Sequence, residues 1–231
     1  MQPLEVYTCC SYPARPGRRT PAQWAAVQFV RALKGQPIAG ISIVPLPDGT
    51  HGLLDVTTAE QSVGWFGRMA AAAAPWEECG RVALVPLPNS WCDITCRQPS
   101  RTVMLADAVV RCHPLLAATV CDVLRWGAPM EAAHAAGGTR DPQELYSALR
   151  LRDRRSFDRT LNYVIVDDVL VTGAHVRAAA AFLTDCGAQV LCAICAARAE
   201  HVLRDNPFHS RLELLPRFTA DPDWLLPFRS G

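Results

Sequence analysis

Residues 163–197 constrain the fold more than any other part of the chain. They read as an apolar strand, "YVIVDD", a short loop, "VLVTG", a helix, "HVRAAAAFLTD", a glycine at Gly187, and a second strand, "AQVLCAICAA". Strand, loop, helix and strand at these lengths make a βαβ unit, and its two strands must lie parallel because the helix returns the chain across the sheet. The expected fold class is therefore α/β, a parallel sheet flanked by helices. In such sheets ligands bind beyond the carboxyl ends of the strands, where Asp167 and Asp168 fall.

Other elements follow from local signals. In "TPAQWAAVQFVRALKG", Thr20 can cap a helix, Pro21 suits its first position, Gln23 completes a capping box and Gly35 ends it, with Trp24, Val27 and Leu33 as the packing face. "GISIVPL", a turn at Pro47, Asp48 and Gly49, and "GLLDV" predict a hairpin at a sheet edge. A second helix is expected from Thr57, with Glu60 closing another capping box, up to Pro75. "RVALVPLPNSW" predicts a buried strand from Val82 to Val85 that ends in a proline-bounded loop, and "RTVMLADAVVR" a helix after it. Beyond apolar "PLLAATVCDVLRW", the polar "GGTRDPQ" and the arginine-rich "ALRLRDRRSFDR" predict an exposed excursion, with Gly137 and Gly138 as its hinge. The arginines there are by default a solvated face, and the functional reading is a basic loop that closes over an anion.

A chain of 231 residues suits one domain with appendages. Half of it is apolar and its net charge is +1, so no long-range field gathers nucleic acid or an acidic membrane. The N-terminus "MQPLEVYTCC" lacks a secretory pattern and no segment offers about 18 uninterrupted apolar residues, which predicts a soluble, cytoplasmic protein. The ten cysteines lie largely in apolar surroundings and read as buried thiols. Cys192 and Cys195, three apart on a strand, should face opposite ways, whereas Cys92 and Cys96 with His113 leave a zinc site open. Lys34 is the only lysine among many arginines, which base composition explains more simply than function.

The chemistry gathers at "VIVDDVLVTGAH". The loop ends at a helix start, where free N–H groups and the helix dipole favour an anion. Gly173 permits close backbone approach and Thr172 adds a hydroxyl. Two carboxylates beside a phosphate would repel it, so they require hydroxyls, a cationic transition state or a metal between. A phosphorylated sugar offers all three. Adjacent aspartates do not match the dehalogenase-like phosphatase pattern, and one glycine is too few for a dinucleotide turn.

This stretch resembles the phosphoribosyl-pyrophosphate (PRPP) motif of type I phosphoribosyltransferases: apolar strand, acidic pair, two apolar residues, Thr or Ser, Thr, Gly, any residue, Thr. The resemblance implies that Asp167 and Asp168 are catalytic and hold the ribose, and that Thr172, Gly173, Ala174 and His175 bind the 5′-phosphate. Val171 stands where Thr or Ser is common and His175 where the last Thr is usual; a histidine N–H can still donate to phosphate. The order of motifs is most similar to the competence protein F (ComF) branch: "LVPLPNS", "RTVMLADAVV", "TRDPQELYSALRLRDRRSF", then the acidic pair, over residues 81–198.

On that resemblance Pro86, Leu87, Pro88 and Asn89, with Arg101 and Arg140, bind pyrophosphate, and Gln143 joins the rim. It further implies one phosphoribosyltransferase-like domain: a small hood from residues 1–75, a core over 76–200 and a C-terminal tail over 201–231. The cofactor is Mg²⁺ carried by PRPP, with no direct protein metal site. The partners are PRPP and an unidentified acceptor, and a homodimer is common in such families. The branch's N-terminal zinc module is not matched, because Cys9 and Cys10 are adjacent and lack a second pair. Two functions remain open. One is pyrophosphate displacement from PRPP in nucleotide metabolism; the other is a non-catalytic PRPP or nucleotide-binding regulator, or a DNA-uptake accessory, favoured by His175. Trp65, Phe66, Trp76 and Trp224 could stack on a base but suit core packing better, and His134 and His175 are the histidines placed to act.

Overall fold

The computed structural model describes residues 2–15, 17–113, 117–130, 139–153, 157–202 and 205–221. Its centre is a six-stranded sheet. The parallel strands are β1 (Leu4–Pro13), β4 (Val82–Pro86), β5 (Ala118–Val120), β8 (Asn162–Leu170) and β9 (Gln189–Glu200), and β10 (Arg211–Leu215) is antiparallel. The order is β10-β1-β9-β8-β4-β5, with β10 paired to β1 at one edge. The βαβ unit is β8, α5 (Ala174–Asp185) and β9, and Gly187 (φ +96°) turns the chain between helix and strand. The α/β, mostly parallel expectation holds.

Each central strand is apolar on both faces, as a parallel strand covered by helices must be. Val164 and Val166 of β8 join one core, and Tyr163 and Ile165 the other. On the first face pack α1 (Pro21–Leu33), the hairpin of β2 (Ser42–Pro45) and β3 (His51–Leu54), α2 (Gln61–Ala73) and α3 (Arg101–Cys112). On the second lie α5, α4 (Pro142–Ala148) and an antiparallel ribbon of β6 (Leu124–Trp126) and β7 (Leu149–Leu151). Cys192 and Cys195 face opposite cores, as strand alternation requires.

Several local expectations are redrawn. Within the N-terminal 75 residues, 4–13 form a strand of the central sheet and elements between 21 and 73 pack on one of its faces; residues 211–215 of the tail are likewise sheet. The α1 capping box forms as read, Thr20 with Gln23, but the buried face runs through Ala26, Phe29, Val30 and Leu33. Trp24 stays 38% exposed, with the Arg19 guanidinium 5.5 Å from its ring. Helix α2 starts at Gln61 rather than Thr57, because the Asp55 carboxylate captures the amides of Thr57 and Thr58 and the Thr57 hydroxyl, closing a turn that competes with the helix. The β2–β3 hairpin is a sheet of its own and not an edge of the main one.

Candidate active site

Strands β4 and β8 are neighbours in parallel, Pro86 opposite Val166, so the loops that leave their carboxyl ends emerge side by side. The Leu87 amide extends this ladder by donating to the Val166 carbonyl at 2.9 Å. Between the loops opens a cavity of about 400 Å³ lined by Leu87, Pro88, Asn89, Arg101, Arg140, Asp167, Asp168, Thr172, Gly173, Ala174 and His175. Residues dispersed over a sequence span of nearly ninety positions thus converge on one place. Pro86 does not line it; it is the last residue of β4.

The acidic pair lies within β8, which continues to Leu170 because its partner β9 runs to Glu200. Asp167 accepts the Asp168 amide on Oδ1 at 2.8 Å. Burial, and then repulsion from Asp168, push its carboxyl up to about 7, although part of its surface reaches the cavity. Asp168 forms a long ion pair with Lys34, Oδ2 to Nζ 3.8 Å. The two carboxylates therefore differ: one titrates near neutral pH, the other has a cation beside it.

The turn after β8 is built for an anion. Gly173 takes φ +78° at the N-cap of α5, a left-handed conformation that glycine adopts without strain. A Cβ there would stand 2.4 Å from Leu215 Cδ1, so β10 closes the turn from behind. Thr172 Oγ1 accepts the Ala174 amide at 3.3 Å, while the amides of His175 and Val176 have no acceptor among the described residues. Arg198 of β9 donates to the carbonyls of Leu170 and Val171 and pairs with Glu213 at 2.8 Å, fixing the loop's outer side. His175, half-buried at the second position of α5, has its pKa lowered by burial, with Asp168 opposing. Burial thus favours its neutral form, and a neutral imidazole can offer a bound anion one N–H donor.

The loop after β4 has its carbonyls engaged. Leu87 O accepts the Thr102 hydroxyl at 2.5 Å, Asn89 O accepts the Cys92 amide and Trp126 Nε1 at 2.8 and 3.0 Å, and Ser90 O accepts the Met130 amide at 2.7 Å. The amides of Asn89, Ser90 and Trp91 have no acceptor among the described residues, which leaves the loop's free polarity as donors. Trp126 ties the two loops together. Its indole holds Asn89, and its ring lies 6.0 Å from that of His175.

Other expected residues fare unevenly. Arg101 lines the cavity, yet its Nε and Nη2 donate to the carbonyls of Leu33 and Ala32 at the end of α1. Gln143 does not join the rim; its side chain accepts the Asp221 amide at 2.9 Å. His134, Gly137, Gly138, Trp224 and part of the arginine-rich stretch lie outside the described residues. Trp65, Phe66 and Trp76 are core. Among the described residues no group of three or more His, Cys, Asp or Glu could hold a metal, and Cys92 and Cys96 belong to none. Sequence reading missed Tyr12, Lys34, Gln36, Trp91 and Trp126 on the cavity wall. Only the singularity of Lys34 could have flagged one of them.

No family model matches the chain, and no curated relative does. Among solved structures it is similar to a hypoxanthine phosphoribosyltransferase from Staphylococcus aureus, at 10% identity and a TM-score of 0.37 over 70% of this chain and 73% of that one. It is also similar to an adenine phosphoribosyltransferase, at 17% identity and a TM-score of 0.39 over 83% of this chain and 98% of that one. Overlaps this shallow assign no activity. Among the described residues no helix is long and apolar enough to cross a membrane.

Proposed function

We propose that the protein binds PRPP and transfers its phosphoribosyl group to an acceptor. One observation carries the reading: a single cavity gathers the acidic pair, the donor-lined turn at the start of α5 and the donor-lined loop after β4. The turn suits a terminal phosphate and the loop a pyrophosphate, with the carboxylates between them suited to the ribose 2′- and 3′-hydroxyls. Among the described residues the two carboxylates have no further acidic ligand beside them, a set that fits a Mg²⁺ arriving on the substrate with phosphate and water oxygens of its own. What such an ion supplies is neutralisation of the leaving group's charge.

In the reaction the bond from C1 to the pyrophosphate oxygen breaks, the electron pair leaving with pyrophosphate, while the acceptor's lone pair bonds to C1 and its proton passes to solvent. The ribose ring carries positive charge at the transition state, and Asp167 and Asp168 stabilise it by position and charge. The finer reading, a ComF-like protein, rests on motif order alone. The non-catalytic alternative is favoured by His175, which is neutral where the motif's last hydroxyl would stand.

Incubation with PRPP, Mg²⁺ and a panel of purine, pyrimidine and pyridine bases, with pyrophosphate release as the readout, separates the two. Base-dependent release is expected from the native protein, falling by orders of magnitude in Asp168→Asn with the fold retained. Tight PRPP binding with no release from any base supports the regulator. A native rate in Asp168→Asn contradicts the assigned role.

A further inference from the structure

We infer that Lys34 is a cation that receives the ligand's pyrophosphate, and that Arg101 acts one step back by positioning it. This deepens the PRPP reading and rests on it.

Lys34 is the C-cap of α1, Gly35 comes next with φ +66°, and the amides of Gly35 and Gln36 donate to the carbonyls of Ala32 and Arg31 at 2.9 and 2.8 Å. These two bonds form a Schellman motif, which closes the helix in one defined geometry. Arg101 reaches across from α3 and donates to the carbonyls of Leu33 and Ala32, capping the same end a second time. The fit is close: a Cβ on Gly35 would lie 3.0 Å from Arg101 Nη1. With Nε and Nη2 engaged on α1, Arg101 is poorly placed to hold a diphosphate. It instead fixes the residue that closes the helix, Lys34.

The Lys34 side chain is 30% exposed and lines the cavity. An ammonium has three donors, and among the described residues its partner is Asp168 at 3.8 Å, beyond hydrogen-bond length. A partly exposed pair of this kind contributes little, so the ammonium exchanges it for a stronger anion at small cost. Pyrophosphate is such an anion. Without Lys34 the two carboxylates would face it with Arg140 as the remaining cation on the cavity wall, since much of Arg101 is already engaged. The ammonium is thus counter-ion to Asp168 in the free protein and to pyrophosphate in the complex.

The test is calorimetric titration of native protein, Lys34→Gln and Lys34→Arg with three ligands in Mg²⁺ buffer: PRPP, inorganic pyrophosphate and ribose 5-phosphate. Lys34→Gln should weaken PRPP and pyrophosphate by about 10- to 100-fold, the range of a charged hydrogen bond. Ribose 5-phosphate, which lacks the diphosphate, should change by less than about threefold, as expected of a screened charge. Lys34→Arg should retain most of the binding. Arg101→Met should weaken pyrophosphate in the native background but add nothing in Lys34→Gln, a coupling that a purely structural role would not produce. Melting curves verify the fold of each variant. Equal losses for all three ligands, or no loss, overturn the inference while PRPP binding stands. Lys34-dependent binding of pyrophosphate by a protein that ignores PRPP upholds the subsite and removes the transferase reading; binding of neither overturns both.

Discussion

If Asp167 must be ionised to accept ribose hydroxyls, PRPP affinity must track its titration. Burial and Asp168 raise its carboxyl to about 7 in the folded protein. A group with that pKa is about one-tenth ionised at pH 6 and about nine-tenths at pH 8, and apparent affinity scales with the competent fraction, so PRPP should bind about tenfold more tightly at pH 8. Binding below pH 7 should also release a proton, read by calorimetry in buffers of different ionisation enthalpy. His175 and the ligand's phosphates titrate too, protonated His175 favouring binding at acid pH, but both are unchanged in Asp167→Asn. The ratio of native to variant affinity therefore isolates Asp167. A ratio flat from pH 6 to 8, or one that falls as pH rises, would refute the reasoning.

Two further perturbations test the packing that holds the site. Gly67 lies where α2 meets α3, and a Cβ there would stand 2.5 Å from the Ala108 carbonyl oxygen, so Gly67→Ala should cost about 1–3 kcal/mol in urea unfolding; an unchanged midpoint would show that the helices can separate freely. Gly173→Ala should lose about 1–3 kcal/mol from left-handed strain together with the clash against Leu215, and Leu215→Ala should restore only the steric part. Full restoration would mean that the φ of +78° is not what demands glycine.

The β8–α5–β9 unit was legible because three local signals agree: two apolar runs, an alanine-rich helix between them and the glycine stop at Gly187. The acidic pair and the Thr-Gly turn were legible with it, since they sit at the unit's own junction. Strand β1 was not. Its sequence "LEVYTCCSYP" neither alternates nor runs apolar, and Thr8, fully buried, has no partner for its hydroxyl among the described residues. The partners that make it a strand, β9 and β10, lie nearly 190 residues away or more, and no local pattern encodes them. Lys34 and Trp126 were illegible for the same reason. Each ends an element whose direction is set by distant contacts, Arg101 for one and the Asn89 carbonyl for the other. Trp24 misled because an aromatic in a helix reads as core, whereas here it lies on the surface with the Arg19 guanidinium over its ring.

The most direct test of the central claim is calorimetric titration with PRPP, with and without Mg²⁺, of the native protein beside the double variant Asp167→Asn/Asp168→Asn. The account predicts saturable binding by the native protein, strengthened by Mg²⁺ and lost in the double variant at unchanged melting temperature. Absence of binding at millimolar PRPP, or binding that survives removal of both carboxylates, would contradict it.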